Sequence, residues 1–257
     1  MSATLLETTQ LRVAVPHRVL IDGFDCAIRS GEFIALLGGN GTGKSLLLRT
    51  FAGLRAPASG LVRLDGRDIH SLARRDIATR LGFLPQDPDA PPQGSLTENV
   101  ALGRFAHLGL FQMTDASDSQ RVALALAEVG LEALAQRELA TLSGGEQRRA
   151  AIARLLVQAP SIYLLDEPTN HLDPAQQLGV LERLRALTRR GAAVVASLHD
   201  PNLALRFADR ACLLSGSGEA TLIDCDALDT SHLGRLYGLR YVEARMGAQR
   251  FMAPDSS

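Results

Sequence analysis

Lysine is nearly absent from this 257-residue chain: Lys44 stands alone, and the other 26 basic residues are all arginine. A GTPase that reads guanine through Asn/Thr-Lys-x-Asp is thereby excluded, because Lys44 follows Gly43 and no second lysine exists. Cysteine is also scarce. Cys26, Cys212 and Cys225 are odd in number and lack metal-ligand spacing, so they are read as free thiols in a reducing compartment. No apolar run reaches the ~18 residues of a membrane-spanning helix, and the N-terminus lacks a charged-then-apolar signal region. A cytosolic protein is expected. Excess charge is missing too. A net charge of −1 gives no reason to expect nucleic acid or an anionic membrane as a direct electrostatic partner. Hydrophobic and charged contents of 46% and 21% are ordinary for a soluble globular chain with one substantial core and a smaller subdomain.

What is present is a phosphate loop. Gly38-Gly39-Asn40-Gly41-Thr42-Gly43-Lys44-Ser45 satisfies G-x-x-x-x-G-K-[ST]. Glu32 to Leu37 before it reads as a strand buried on both faces, and Leu46 to Ala52 after it reads as a helix ended by Gly53 and Pro57. Strand, glycine loop and helix aim backbone N–H groups and a positive helix end at one point, where an anion is favoured. Lys44 is expected on the β- and γ-phosphates and the Ser45 hydroxyl on Mg²⁺.

Either side of this loop the texture is mixed. Leu11 to Ile28 alternates loosely, as short antiparallel strands do, and Gly60 to Gly66 is another strand closed by a turn. A polar helix over Ile69 to Arg80 leads into a strand, Leu81 to Gln86, that ends in a glutamine and is followed by a proline-rich loop, Asp87 to Gly94. From Thr97 to about Pro160 the pattern is helical, with capping-box spacing at Ser117 to Gln120, and is read as an insertion into an α/β domain. Strands return at Ile162 to Leu165, Ala192 to Leu198 and Ala211 to Leu214, with an amphipathic helix over Val180 to Leu187. The expected division is one domain: an α/β core over 1–90 and 157–228, a helical subdomain over 91–156, and a short mixed tail over 229–257.

The strand Ile162 to Leu165 empties into Asp166 and Glu167. Adjacent strand residues face opposite sides, so the two carboxylates have separate tasks: Asp166 supporting Mg²⁺, Glu167 orienting or deprotonating the attacking water. Ser143 and Glu146 have capping-box spacing for a helix running to Gln158, which makes a second anion-binding helix start. His199 follows an apolar strand and precedes Asp200-Pro201, a cap and first-turn pair.

Taken in order, the phosphate loop, Gln86, Leu142-Ser143-Gly144-Gly145-Glu146, Asp166-Glu167, Asn170-His171-Leu172-Asp173 and His199 resemble the ATPase domain of ABC proteins across residues 31–210. The resemblance implies a phosphate-loop (RecA-like) α/β core with a short antiparallel β region and an inserted helical subdomain. It also implies ATP and Mg²⁺ as cofactors and a head-to-tail homodimer. Ser143, Gly144, Gly145 and Glu146 of one copy would then close over the nucleotide held by Lys44 of the other. Gln86 would join Mg²⁺ and the membrane partner, Asp173 would lie at the dimer seam, and His199 would hydrogen-bond the γ-phosphate. Leu102 to Gly109, Gln176-Gln177-Leu178, His199 to Ala204 and Leu236-Tyr237-Gly238 are similar to the branch that energises bacterial importers of iron–siderophore, haem and cobalamin complexes. That branch implies integral-membrane permease subunits, a solute-binding protein acting through them, and a place on the cytoplasmic side of the inner membrane.

Two positions depart from the family pattern. Leu46 stands where a threonine is usual, and the aromatic that stacks on adenine is missing among Ala14, Val15, Pro16 and His17. His17 is either its substitute or an ordinary loop residue. The competing function is a soluble ABC-type ATPase uncoupled from transport. The second domain or long coiled coil usual in ribosomal and DNA-repair members is not present in this sequence.

Overall fold

The computed structural model describes residues 3–86, 94–108, 115–247 and 249–255. The first elements are β1 (Thr4–Val15), β2 (Arg18–Arg29), β3 (Phe33–Leu37), α1 (Lys44–Phe51), β4 (Ser59–Leu64) and β5 (Arg67–Asp68). β2, β1, β4 and β5 form an antiparallel sheet in that order. β1 and β2 run 12 residues each, longer than the loose alternation predicts. Register shifts at Thr8/Leu11 and Leu11/Val13 explain why: each bulge re-phases the in–out pattern without ending the strand.

Next come α2 (Arg74–Arg80), β6 (Leu81–Leu84), α3 (Leu96–Ala101), α4 (Ala116–Glu128), α5 (Gly144–Gln158), β7 (Ile162–Leu165) and α6 (Pro174–Arg189). β8 (Ala193–Ser197), α7 (Pro201–Phe207), β9 (Arg210–Leu214) and β10 (Ala220–Asp224) complete a six-stranded sheet of order β10-β9-β3-β8-β7-β6. From β9 to β6 all neighbours are parallel, and β10 adds an antiparallel edge.

The central strands are apolar throughout because both faces are covered. Phe33, Ala35 and Leu37 of β3, with Tyr163 and Leu165 of β7, join a core shared with the helices. Ile34, Leu36, Ile162 and Leu164 face the opposite way, into a core closed by α1 and the antiparallel sheet. The period-two split thus assigns each residue of a continuous apolar run to one of two layers.

Two expectations need correction, and the tail, read only as short and mixed, gains described elements. The predicted helix Ile69 to Arg80 is divided: a 3-10 turn over Ile69–Ser71, started by Asp68 Oδ1 accepting the His70 N–H at 3.0 Å, precedes α2. The capping signal at Ser117 lies two residues late. Asp115 is the cap, its Oδ1 accepting both the Asp118 N–H at 2.9 Å and the Ser117 hydroxyl at 2.7 Å. A carboxylate with two donors outcompetes a hydroxyl there. The tail is ordered, with α8 (Thr230–Tyr237) and a hairpin of β11 (Tyr241–Met246) and β12 (Gln249–Pro254). Asn202 of α7 fastens this hairpin, accepting the Met252 N–H at 2.7 Å and donating to its carbonyl at 3.1 Å. The proline-rich stretch 87–93, with Gly109, Leu110 and Phe111, lies outside the described residues.

Candidate active site

β3, β8, β7 and β6 are parallel neighbours, so their carboxyl ends open on one edge of the sheet. The phosphate loop leaves β3, His199 follows β8, Asp166-Glu167 follow β7, and Gln86 follows β6. A cavity of about 580 Å³ opens there, lined by Asn40, Gly41, Gly43, Lys44, Ser45, Leu46, Gln86, Glu167, Asn170 and His199, with Val15, Arg18 and Leu20 closing its other side. That volume suits a nucleotide-sized ligand.

The loop is built around backbone that only glycine supplies. Gly38 sits at φ +155°, and a Cβ there would lie 2.5 Å from the Leu214 carbonyl oxygen. Gly43, at φ +106°, starts α1 without a side-chain cap, so the first N–H groups of the helix are presented to a ligand. Lys44 is buried; its ammonium donates to Gly38 O at 2.7 Å and Gly39 O at 2.9 Å, which leaves one of three donors for a phosphate oxygen. Burial pushes the Lys44 pKa down, and the negative charges of Glu167 and Asp166 oppose that shift.

At the end of β7 the two carboxylates divide as their alternation predicts. Asp166 is 1% exposed and accepts the Ser197 hydroxyl at 2.8 Å; that same oxygen accepts the Glu167 N–H at 2.7 Å. Glu167 turns outward into the cavity at φ +51°, a conformation costing about 1–3 kcal/mol for a side chain with a Cβ. Its Oε1 lies 2.8 Å from His199 Nε2, and its Oε2 accepts Asn170 Nδ2–H at 2.6 Å. Both carboxylate oxygens are oriented, the arrangement needed to aim a base at a water molecule.

Mg²⁺ takes hard oxygen donors and is commonly held by one or two carboxylates plus phosphate oxygens. Ser45 and Gln86 line the cavity, and the buried Asp166, whose charge is felt at Lys44, completes an oxygen set of the kind that fits. Among the described residues there is no group of three His, Cys, Asp or Glu that could hold a metal ion.

The remaining predicted residues sit elsewhere. Ser143 and Glu146 form the expected capping box of α5 (Ser143 N–H to Glu146 Oε2, 2.7 Å), and Asp173 caps α6 through the Gln176 N–H at 2.8 Å. These turns abut: a Cβ on Gly145 would lie 3.1 Å from His171 O. Ser143, Gly144 and Asp173 are exposed, and neither they nor Gly145 and Glu146 line their own protomer's cavity. His17 is exposed at φ +66° in the β1–β2 turn and does not line the cavity either. Leu46 does both jobs open to it, lining the cavity and packing on the core beneath α1.

Arg18, Ser197 and Arg148 were not foreseen, and Asn170 stood in a motif without a role. Arg148, buried in α5, donates from Nη1 to Pro85 O at 2.6 Å and Gln86 O at 3.2 Å, and from Nη2 to Glu167 O at 2.7 Å and to Asp166 O. It clamps the ends of β6 and β7 together.

The ABC transporter family model matches residues 21–170. The achromobactin transport ATP-binding protein CbrD of Dickeya dadantii is 40% identical, over 80% of this chain and 77% of its own length. The ferric enterobactin transport ATP-binding protein FepC of Escherichia coli is 38% identical, over 93% and 89%. The hemin import ATP-binding protein HmuV of Rhodopseudomonas palustris is 43% identical, over 79% and 76%. Among solved structures, a transporter described as of the metal-chelate type, in an inward-facing conformation, superposes with a TM-score of 0.84 at 27% identity, covering 99% of both chains. A dimeric bacterial ABC transporter cassette superposes with a TM-score of 0.78 at 27% identity, covering 87% of this chain and all of that one. With cavity, motifs and relatives in agreement, the chain belongs to the ABC transporter family as an ATP-binding subunit and is an ATPase.

Proposed function

We propose that this subunit powers an importer of an iron complex, a siderophore or haem, from the cytoplasmic face of a bacterial inner membrane. The relatives named for achromobactin, ferric enterobactin and hemin support that substrate class. Two copies bind head to tail, so that Ser143, Gly144, Gly145 and Glu146 of each cover the nucleotide on Lys44 of the other, with Asp173 at the seam. The exposure of Ser143, Gly144 and Asp173, and the place of all five outside their own protomer's cavity, support this reading. Mg²⁺, held by Ser45, Gln86 and Asp166, neutralises phosphate charge. Glu167 acts as the base toward water, and His199 holds the γ-phosphate. The helical segment 91–156 receives the permease subunits, which in turn meet a solute-binding protein. Phe105, 63% exposed, and Leu102, 41% exposed, supply apolar surface for that contact. Among the described residues no helix is long and apolar enough to cross a membrane, so attachment runs through partners.

The observation that carries the catalytic reading is the Glu167 carboxylate, fixed on both oxygens by His199 and Asn170 at the cavity wall. In Glu167→Gln the amide keeps the shape and loses the base. ATP binding should persist, turnover should fall about 10²–10⁴-fold, and a nucleotide-bound dimer should accumulate. Near-normal hydrolysis with partner subunits present would remove Glu167 from that role. Purification from membranes, with its permease and solute-binding protein identified, tests the importer reading; a soluble complex free of membrane subunits would replace it.

A further inference from the structure

The cavity has two unlike sides. Glu167, Asn170, His199 and Gln86 form the polar side around the expected γ-phosphate. A nucleoside triphosphate held at the α1 N-terminus with its γ-phosphate there must send ribose and base the other way, toward Val15, Arg18, Leu20 and Leu46. No residue lining that side is aromatic, and His17 is not part of the lining.

Arg18 is held in a fixed place. Its Nη2 donates to the Gly216 carbonyl at 2.8 Å. Gly216 is itself wedged at φ +74°, where a Cβ would lie 3.0 Å from Thr42 Cα and 3.2 Å from Arg18 Nη2. The turn after β9 therefore locks Arg18 to the phosphate loop by one edge of its guanidinium. Arg18 is otherwise an exposed residue that lines the cavity, and the faces of such a planar, delocalised cation stack on aromatic rings. Half-buried Val15 and Leu46 supply apolar flanks for a base.

We propose that Arg18 is the nucleobase platform of this chain, a guanidinium plane that takes the purine where an aromatic ring is missing. The inference rests on the nucleotide reading of the cavity. A stacked guanidinium senses the π-face of a base and not its edge, so adenine and guanine are held about equally.

Equilibrium binding to the full-length protein tests this, with Mg-ATP, Mg-GTP and inorganic tripolyphosphate as ligands. Arg18→Ala should weaken ATP and GTP together by about five- to thirtyfold and leave tripolyphosphate within about twofold. Arg18→Lys should resemble Arg18→Ala, since charge is kept and the plane is lost. His17→Ala should match wild type. Arg18→Ala with Val15→Tyr should recover ATP binding, which separates a lost stacking surface from a damaged fold. Equal weakening of ATP and tripolyphosphate would make Arg18 a phosphate ligand and overturn the proposal. Full affinity in Arg18→Ala or Arg18→Lys, or weak ATP binding in His17→Ala, would do the same. Failure of the nucleotide reading has its own signature: Lys44→Ala would then leave tripolyphosphate binding intact.

Discussion

Replacing Arg148 by lysine should separate the geometry of the catalytic edge from its charge. The guanidinium spans two strand ends, giving Nη1 to Pro85 O and Gln86 O and Nη2 to Asp166 O and Glu167 O. A lysine keeps the charge but delivers its donors from one atom, and it can serve one strand end only. Two charge-assisted hydrogen bonds are then lost, each contributing about 1.5–3 kcal/mol, for a total near 3–5 kcal/mol after relaxation. For a chain of this size that lowers the melting temperature by roughly 6–20 °C. The functional effect should exceed the stability effect. Glu167 holds its φ of +51° between Ser197 on its N–H and Arg148 on its carbonyl, so releasing the carbonyl lets the base relax away from the cavity. Well below the melting point, Arg148→Lys should bind Mg-ATP within a few-fold of wild type and lose most hydrolysis in the assembled complex. Wild-type melting and wild-type turnover in this variant would refute the clamp.

An amine-selective acylating reagent has Lys44 and the N-terminal amine to attack; burial lowers the Lys44 pKa, and bound Mg-ATP should raise it and shield the amine. ATP should therefore protect Lys44 and not the N-terminus, and equal labelling by mass spectrometry would contradict the assignment. Asn202→Ala removes two hydrogen bonds to Met252, so hydrogen exchange at the Met252 amide should accelerate by about 5- to 30-fold, with the α1 region unchanged. The Ser143 side chain, then its backbone N–H, hold the Glu146 carboxylate below its ordinary pKa. A depressed carboxylate contributes stability that is present above its unfolded pKa and lost as pH falls through the folded one, so the first turn of α5 should loosen in acid. The Ser143 amide signal in NMR should report that titration, and Ser143→Ala, which keeps the backbone N–H and loses the hydroxyl, should move its midpoint up toward the ordinary carboxylate range.

Much of the fold could be read from local pattern. β3, β7 and β8 are continuous apolar runs beside a phosphate loop, and that combination already requires a parallel sheet covered on both faces. Capping chemistry located α5 and α7 because Ser143 with Glu146, and Asp200 before Pro201, act within one turn of chain. The tail resisted the same reading. β11 and β12 are mostly exposed and pair chiefly with each other, so their in–out alternation is faint. What holds them lies elsewhere in the chain: Asn202, about 50 residues away, the Asp226 and Leu228 carbonyls that accept from Arg250, and the core that buries Met252.

The site divides along the same line. Residues marked by spacing along the chain, from Gly38 to Ser45 and at Asp166, Glu167 and His199, could be singled out from sequence, and the structure gathers them at one edge of the sheet. Residues whose role exists only across the sheet could not. Ser197 is one serine at the end of an apolar strand until β8 is set beside β7, where its hydroxyl joins Asp166 to the Glu167 backbone. Arg148 breaks a general expectation, since arginine is seldom buried. Its burial follows from a need that sequence does not display. Where β6 and β7 turn away from the sheet, the carbonyls of Pro85, Gln86, Asp166 and Glu167 converge beneath α5, out of reach of the ladder. Buried acceptors left unpaired are costly, and only a forked cation carries enough directed donors to satisfy several at once. The motif residues are proposed to supply the chemistry, and this hidden layer holds the Glu167 backbone by its carbonyl and its N–H.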